Sequence, residues 1–206
     1  MATKVFVARL SSYSAEELKK EYEKIKERFI AVGQRKIAVR DENLLGRLLL
    51  DKAMQSICAG DYTVEYCGND KPVLRNAKGV YFNISHSGDF VALAVSDSEV
   101  GCDIQEIRPY SPRVAKRNYC DKETEFIENS YDKDESFIRL WALKESVLKF
   151  DGSGIAGGLS SYDFSPYADE NEFTAFGCNF YVKKIENTYF ALCYKNTQFE
   201  METMYV

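Results

Sequence analysis

The chain is nearly devoid of histidine, since His86 is the only one among 206 residues. It lacks the run of roughly 20 apolar residues that a membrane-spanning helix needs, and its first residues do not resemble a secretion signal. No two of its cysteines form a C-x-x-C pair, which argues against a zinc site. We therefore expect a cytoplasmic protein, with no membrane partner, whose six cysteines are reduced thiols.

An excess of positive charge is also missing. The formal net charge is −5 and the isoelectric point is about 5.1. This balance argues against a nucleic-acid partner, because surfaces that bind nucleic acid are usually basic. A small anionic ligand is still compatible with the composition, since a local cluster of Lys and Arg can hold one on an acidic protein.

The hydrophobic spacing predicts a mixture of helices and strands. Ser14 begins a capping-box pattern that predicts a helix to about Phe29. The apolar residues have helical spacing over 44–57 and 137–150, and a further helix is expected over 122–129. Strands are predicted over 4–8, 62–67, 80–84, 90–96, 100–104, 180–185 and 189–194.

The two halves of the chain echo each other. RLLLDK at 47–52 resembles RLWALK at 139–144, and FVALAV at 90–95 resembles YFALCY at 189–194. The echo predicts an α+β fold, a pseudo-dimer of two similar halves, each a helix packed on a small antiparallel sheet. We expect the halves to be residues 1–100 and 101–206, and a cleft between them would be a natural ligand site.

The segment SHSG, from Ser85 to Gly88, lies between two predicted strands. A loop with hydroxyl groups, an imidazole and backbone N–H groups close together could hold phosphate oxygens. The alternative is a polar turn with a solvated histidine. The basic stretch that begins at Lys71, taken alone, is best interpreted as a solvated loop before a strand.

Asp103 lies inside the apolar run VGCDIQ, two residues before Gln105. On a strand both side chains point to one face, and their oxygens suit a hard cation such as Mg²⁺. The alternative is that Asp103 begins a turn or pairs with Arg108. The sequence alone leaves both interpretations open.

The helix WALKESVLKF places Trp141, Glu145 and Lys149 on one stripe, with Lys144 about a hundred degrees further round the helix. One interpretation is a surface Glu–Lys pair, worth roughly 0.2–0.5 kcal/mol. The helix is too apolar to be mostly exposed, however. A buried carboxylate beside two lysines is an arrangement that binds metal and phosphate together.

Taken together, three blocks resemble the 4′-phosphopantetheinyl transferases, in particular the larger monomeric type that activates peptide and polyketide synthetases. The blocks of that family are N-I-S-H-S, G-x-D-x-E and W-x-x-K-E-x-x-x-K. They stand here at 83–87, 101–105 and 141–149, with Gln105 in place of the last acid of the second block. The resemblance is clear over roughly 71–155.

The resemblance implies transfer of the phosphopantetheine arm of coenzyme A to a serine of an apo acyl or peptidyl carrier protein. By this resemblance the reaction would depend on Mg²⁺, with Mn²⁺ as an alternative, and would release 3′,5′-ADP. It also implies a monomer with coenzyme A and the metal in the cleft between the halves. A carrier is usually acidic, and Arg113, Lys116 and Arg117 form a basic cluster where the family meets its carrier.

The resemblance also implies roles for individual residues. Asp103, Gln105 and Glu145 would hold the metal, and Asp103, Glu145 and Lys149 would be the catalytic residues. Glu145 would be the general base, and Lys149 would stabilise the transferred phosphate or protonate the leaving oxygen. Coenzyme A would be bound by five residues: Lys71, Ser85, His86, Lys144 and Lys149.

Two departures from the family pattern keep other interpretations open. Gln105 has no negative charge, and Glu42 and Asn43 precede LLG where the family often has Arg plus Ser or Thr. The chain could therefore be a coenzyme A-binding or carrier-binding module without turnover. A phosphate-binding protein of another class would not need the two carboxylates.

Overall fold

The computed structural model describes residues 2–32, 37–57, 60–67, 71–152, 158–195 and 198–203. Residues 68–70, whose Gly-Asn-Asp sequence favours a turn, lie outside the described residues, and so do residues 153–157, which follow the helix predicted over 137–150. The chain divides into two compact units: residues 1–99 with 196–206, and residues 100–195. Among the described residues, no helix has the length and apolar character needed to cross a membrane.

The fold is a mixture of helices and sheets, which confirms the predicted α+β class. The helices are α1 (Ala15–Glu23), α2 (Asp41–Ser56), α3 (Pro112–Asn118), α4 (Asp121–Asn129) and α5 (Lys133–Asp151). The strands are β1 (Thr3–Arg9), β2 (Phe29–Val32), β3 (Thr63–Cys67), β4 (Val73–Arg75), β5 (Tyr81–Ser87), β6 (Phe90–Ser96), β7 (Val100–Glu106), β8 (Glu172–Ala175), β9 (Cys178–Ile185), β10 (Thr188–Tyr194) and β11 (Phe199–Thr203).

The first unit is built on a four-stranded sheet in the order β11-β1-β6-β5. β6 is antiparallel to both of its neighbours, whereas β11 runs parallel to β1. Helix α2 packs on β5 and β6 and buries leucines that include Leu45 and Leu49 completely. Each such burial stabilises the unit by about 1.5–3 kcal/mol. A second sheet has the order β2-β3-β4.

The second unit is built on an antiparallel sheet in the order β7-β10-β9-β8. Helix α5 packs on β7 and β10. It buries Leu140 and Leu143 completely, and its N-terminus is capped by the Asp132 side chain, which accepts from the Glu135 N–H. It ends at Asp151, and the next residue, Gly152, has a φ of 75°, the left-handed conformation that favours glycine after a helix.

The two units repeat one order of elements. In each, a strand (β1 or β7) leads to a helix (α2 or α5) and then to a hairpin whose second strand pairs antiparallel with the first strand. The similar segments at 90–95 and 189–194 form β6 and β10, and those at 47–52 and 139–144 belong to α2 and α5. Each unit is thus a helix packed on a small sheet. The pseudo-dimer stays a prediction.

The end of α1 and the placement of β11 differ from the prediction. The capping box at Ser14 is present, but α1 ends at Glu23 rather than near Phe29, because Phe29 is buried and begins β2, which pairs with β3. The prediction placed all of 101–206 in the second half. In the structure β11 extends the sheet of the first unit, since its backbone groups pair with β1.

Candidate functional site

The contact between β7 and α5 depends on Gly101. A Cβ atom at this position would lie 2.1 Å from the Ser146 carbonyl oxygen and 2.4 Å from the Phe150 nitrogen, which are both backbone atoms of the helix. Only glycine therefore allows the helix to lie this close to the strand. Asp103 and Gln105 share the face of Gly101, because side chains alternate along a strand.

The Asp103 side chain is completely buried and forms an ion pair with Lys149. The Lys149 Nζ donates to the Asp103 Oδ1 at 2.5 Å. The sequence left two structural interpretations open for Asp103, that it begins a turn or that it pairs with Arg108. The structure shows instead that it lies inside β7 and pairs with Lys149. The Lys149 side chain remains 26% exposed, so it compensates the buried carboxylate and still reaches the surface of the unit.

Glu145 lies one helical turn before Lys149 on the same stripe of α5 and is half-buried. Burial raises the pKa of its carboxyl, and the charge of Asp103 raises it further, while Lys149 acts in the opposite direction. Burial acts to lower the pKa of Lys149, but Asp103, and then Cys102 and Glu145, raise it overall. The structure thus brings together Asp103, Glu145 and Lys149, which we call the acidic–lysine cluster.

The donor set of this cluster fits a hard divalent cation. The charge of Asp103 disfavours the ionised form of Glu145, and a cation between the two carboxylates would remove that repulsion. Gln105 is half-buried on the same strand face as Asp103 and adds a neutral amide oxygen. Carboxylate and amide oxygens are the ligands that Mg²⁺ accepts, usually with water completing its shell.

Lys144 is not part of the acidic–lysine cluster and is enclosed by other residues of the second unit. Its side chain is completely buried, and its Nζ is 2.7 Å from the Glu123 Oε2. It also donates to the carbonyl oxygens of Leu159 at 2.8 Å and Tyr162 at 2.5 Å. An ammonium group has three donors, and these partners take all three. The predicted contact with phosphate is therefore corrected: Lys144 ties α5 to α4 and to the segment that follows α5.

Glu123 was missed by the sequence interpretation. It is completely buried, and its carboxylate accepts from the backbone N–H groups of Cys120 at 3.0 Å and Phe164 at 3.0 Å, as well as from Lys144. The signal was present, because Glu123 is the third residue of α4, where a capping glutamate is expected.

The SHSG segment is a strand rather than a loop as far as Ser87. β5 pairs with β6 up to Ser87, and Gly88, with a φ of 55°, begins the turn. β5 lies at the edge of its sheet, next to β6, so only alternate backbone N–H groups of this segment belong to the ladder. Ser85 is buried and points to the opposite face of β5 from the exposed His86.

His86 and Lys71 line one pocket of the first unit, which we call the β5 pocket. Its volume is about 320 Å³, and its described lining residues are Ile37, Ala38, Asn43, Arg47, Tyr66, Lys71, Pro72, Phe82, Asn83, Ile84 and His86. The Asn43 Nδ2 lies 3.1 Å from the His86 Nε2, so a position that departs from the family pattern belongs to the pocket. Ser85 is not among these lining residues.

Arg47 is a second residue that the sequence interpretation did not single out. It is 4% exposed and lies in the β5 pocket. The signal was a charged residue inside the apolar run LLGRLLL, where a helix facing the core would carry another apolar side chain.

Comparison with known proteins identifies the family. The model of the 4′-phosphopantetheinyl transferase superfamily matches residues 99–195. The 4′-phosphopantetheinyl transferase psf-1 of Bacillus pumilus is 33% identical over 171 residues, which cover 77% of this chain and 73% of that one. Sfp of Bacillus subtilis is 36% identical over 103 residues, which cover 48% of this chain and 45% of its own.

A third relative is also a 4′-phosphopantetheinyl transferase. The 4′-phosphopantetheinyl transferase AcpT of Salmonella typhi is 35% identical over 125 residues, covering 58% of this chain and 62% of its own. The match to the family model includes the whole acidic–lysine cluster, from β7 to α5. The chain belongs to the 4′-phosphopantetheinyl transferase superfamily.

Proposed function

We propose that the chain transfers the 4′-phosphopantetheine arm of coenzyme A to a serine hydroxyl of an apo acyl or peptidyl carrier protein and releases 3′,5′-ADP. The reaction requires Mg²⁺, for which Mn²⁺ can substitute. The observation that supports this proposal is the acidic–lysine cluster, in which a strand and a helix bring two carboxylates and one lysine together. The match to the model of the transferase family includes all three residues.

Glu145 acts as the general base. It accepts the proton of the carrier serine as the serine oxygen forms a bond to phosphorus and the bond to the 3′,5′-ADP oxygen breaks. A carboxylate with a raised pKa is a stronger base than an ordinary one, as long as the pH stays above that pKa. Burial raises the pKa of Glu145 in this sense, whereas the effect of the Asp103 charge would be offset by a bound magnesium ion.

Lys149 acts by its charge rather than as an acid. Its pKa is raised overall, because the Asp103 carboxylate outweighs the effect of burial. A raised pKa makes proton donation to the leaving oxygen less favourable, while it keeps the ammonium charged throughout. Such a charge stabilises the phosphoryl group during transfer.

Asp103, Glu145 and Gln105 would hold the magnesium ion. When bound, the ion would supply charge neutralisation to the diphosphate. Asp103 fixes the position of Lys149 through their ion pair, and Gly101 fixes the distance between the strand and the helix that carry these groups.

The test is the intact mass of a purified apo carrier protein after incubation with the chain, coenzyme A and Mg²⁺. We expect a gain of one phosphopantetheine arm with the wild type and none with Glu145→Gln. Glu172→Gln is the matched control, because Glu172 is exposed on β8 of the same unit and its variant is expected to transfer the arm normally.

A binding module without turnover is the second candidate, and Gln105 is the observation that favours it. With only two carboxylates, the cluster could hold the metal too weakly for catalysis. Coenzyme A bound without mass gain on several acyl and peptidyl carriers, at high Mg²⁺ as well, would establish the binding module and contradict the proposed transfer.

A further inference from the structure

Two buried thiols of the second unit lie on one face of the hairpin formed by β9 and β10. Cys193 pairs with Phe180 across this hairpin, so Cys178, two residues before Phe180, is its diagonal neighbour on the same face. Both cysteines belong to the hydrophobic core of the unit. The Cys193 thiol donates a hydrogen bond to the Cys178 sulfur, so the two sulfur atoms are in direct contact.

An ammonium group lies beside one thiol of this pair. The register of the hairpin, extended by one residue beyond Tyr194, places Lys195 opposite Cys178. The Lys195 Nζ donates to the carbonyl oxygen of Gly177, the residue before Cys178, at 2.6 Å. The hydrogen bond from Cys193 lowers the pKa of Cys178 to about 7, and Lys195 contributes, against the effect of burial. Burial raises the pKa of Cys193, so Cys178 is the thiol that ionises.

A tight turn connects this buried pair to the surface. Phe176 and Gly177 form a two-residue turn between β8 and β9, and both have a positive φ, of 52° and 70°, as in the common hairpin turns. Both turn residues and Lys195 are exposed, and Cys178 follows the turn directly. A molecule as small as hydrogen peroxide therefore needs only a local opening of this turn to reach the Cys178 sulfur.

We propose that Cys178 and Cys193 form an oxidation site, at which hydrogen peroxide converts the two thiols into a disulfide that links β9 to β10. This inference does not depend on the proposed function. A cysteine that is only buried in apolar surroundings is inert, whereas a thiolate beside a cation and a second thiol is the arrangement that peroxide oxidises.

The reaction takes two steps. The Cys178 sulfur attacks one oxygen of the peroxide, so that an S–O bond forms, the O–O bond breaks, and the leaving hydroxide takes up the proton that the thiol released. The Cys193 sulfur then attacks the sulfenic acid at Cys178. An S–S bond forms, the S–O bond breaks, and the hydroxyl group leaves as water with the Cys193 proton. The two thiols lose two electrons and two protons, which the peroxide takes up as it becomes two water molecules.

The experiment treats the folded full chain with a small excess of hydrogen peroxide and maps the products by mass spectrometry of its peptides. The wild type is expected to join Cys178 to Cys193 with the loss of two hydrogen atoms, and dithiothreitol should restore both thiols. Cys193→Ala lacks the second thiol, so dimedone, a reagent for sulfenic acids, should label Cys178. Cys178→Ala should give neither product. The wild-type map needs no variant, so it decides the question even where an alanine variant does not fold.

Cys120→Ser is the control for exposure. Cys120 is half-buried at the N-cap of α4, where serine is a preferred residue, and burial raises the pKa of its thiol. The variant should form the link between Cys178 and Cys193 as the wild type does. Oxidation of Cys120 ahead of Cys178 would overturn the inference, because exposure rather than the thiol pair would then govern the reaction.

Lys195→Met tests the ammonium group, with Lys183→Met as the same change at an exposed position of β9. The rate of disulfide formation should fall several-fold in Lys195→Met, because a smaller fraction of Cys178 is ionised, and should not change in Lys183→Met. Equal rates in the two variants would overturn the inference. So would a wild type whose thiol pair is oxidised only in urea.

Discussion

At the scale of single residues, the acidic–lysine cluster places several charged side chains in a buried or half-buried environment. Asp103 is fully buried, Glu145 is half-buried, and one ammonium, that of Lys149, offsets both. Such a site lowers the stability of the fold, because its buried charged groups are arranged to interact with a ligand and are not arranged to stabilise one another.

Replacing Glu145 with Gln should therefore stabilise the protein at neutral pH. The pKa of Glu145 is raised above its usual 4.5, so its ionised form is disfavoured in the folded state. This unfavourable contribution is present above the folded pKa and disappears as the pH falls through that pKa toward 4.5. The Tm of Glu145→Gln should exceed that of the wild type at about pH 8, and the two should converge below pH 4.5.

Thermal unfolding at several pH values measures this difference, with Glu172→Gln as the comparison on an exposed site. A Glu145→Gln variant that is less stable than the wild type in mild alkali, or whose advantage grows in acid, would contradict the assigned direction of the pKa.

Gln105 gives a prediction for the metal. Gln105→Glu adds a charged ligand beside Asp103 and is close to isosteric, so the Mg²⁺ concentration for half-maximal rate should fall. The measurement is a Mg²⁺ titration of carrier modification. Gln198→Glu, the same change at an exposed position of the other unit, should leave the titration unchanged. An unchanged or weaker response of Gln105→Glu would remove Gln105 from the ligand set.

The sequence predicted which of these residues share a face of their helix or strand, but it did not predict which residues they pair with. The spacing placed Glu145 and Lys149 on one stripe and Asp103 and Gln105 on one strand face, as the structure has them. It did not predict that Lys149 pairs with Asp103 or that Lys144 pairs with Glu123, because helical spacing gives the angle between side chains and not what lies opposite them.

At the scale of elements, the contact between β7 and α5 holds the cluster in place. Gly101→Ala should destabilise the second unit by about 3 kcal/mol, the upper end for overpacking, because its Cβ would overlap helix backbone that cannot rotate away. The measurement is the urea midpoint, together with the transfer rate, which should fall as Asp103 moves away from Lys149.

Gly46→Ala on α2 is the matched comparison. Its Cβ would meet the Ile84 Cγ2 at 2.9 Å, which is a single methyl group, and alanine favours the helix by about 1 kcal/mol. It should lose less stability than Gly101→Ala. A Gly101→Ala variant as stable as the wild type would show that the strand and helix are further apart.

The elements that the sequence predicted are those with strong local signals. The capping box begins α1, apolar spacing defines α2 and α5, and the two fully buried strands β6 and β10 were expected nearly to the residue. The short strands β2, β4, β8 and β11 and the helix α3 were not predicted. They depend on pairing or packing with distant residues, which no local pattern specifies.

At the scale of the whole molecule, α3 presents the basic cluster proposed for the carrier. Arg113, Lys116 and Arg117 are all exposed on this helix. Reversing Arg113 and Lys116 to Glu should lower kcat/KM for an acidic carrier by about tenfold at low salt through slower association, with a smaller effect at high salt. Binding of 3′,5′-ADP should not change.

Reversal of Lys19 and Lys20, which are exposed on α1, is the control with the same change in net charge. Steady-state kinetics at two ionic strengths measure the effect. Equal losses in the two double variants would mean that net charge, rather than α3, governs carrier use.

The pairing of β11 with β1 has a consequence for biosynthesis. β1 is translated long before its neighbour β11, because the other strands and all the described helices lie between them in the sequence. During translation one edge of β1 therefore lacks its partner, and an unpaired edge recruits strands from other chains. Nascent chains that stall before residue 199 are expected to aggregate or to need a chaperone, while finished ones cover this edge themselves.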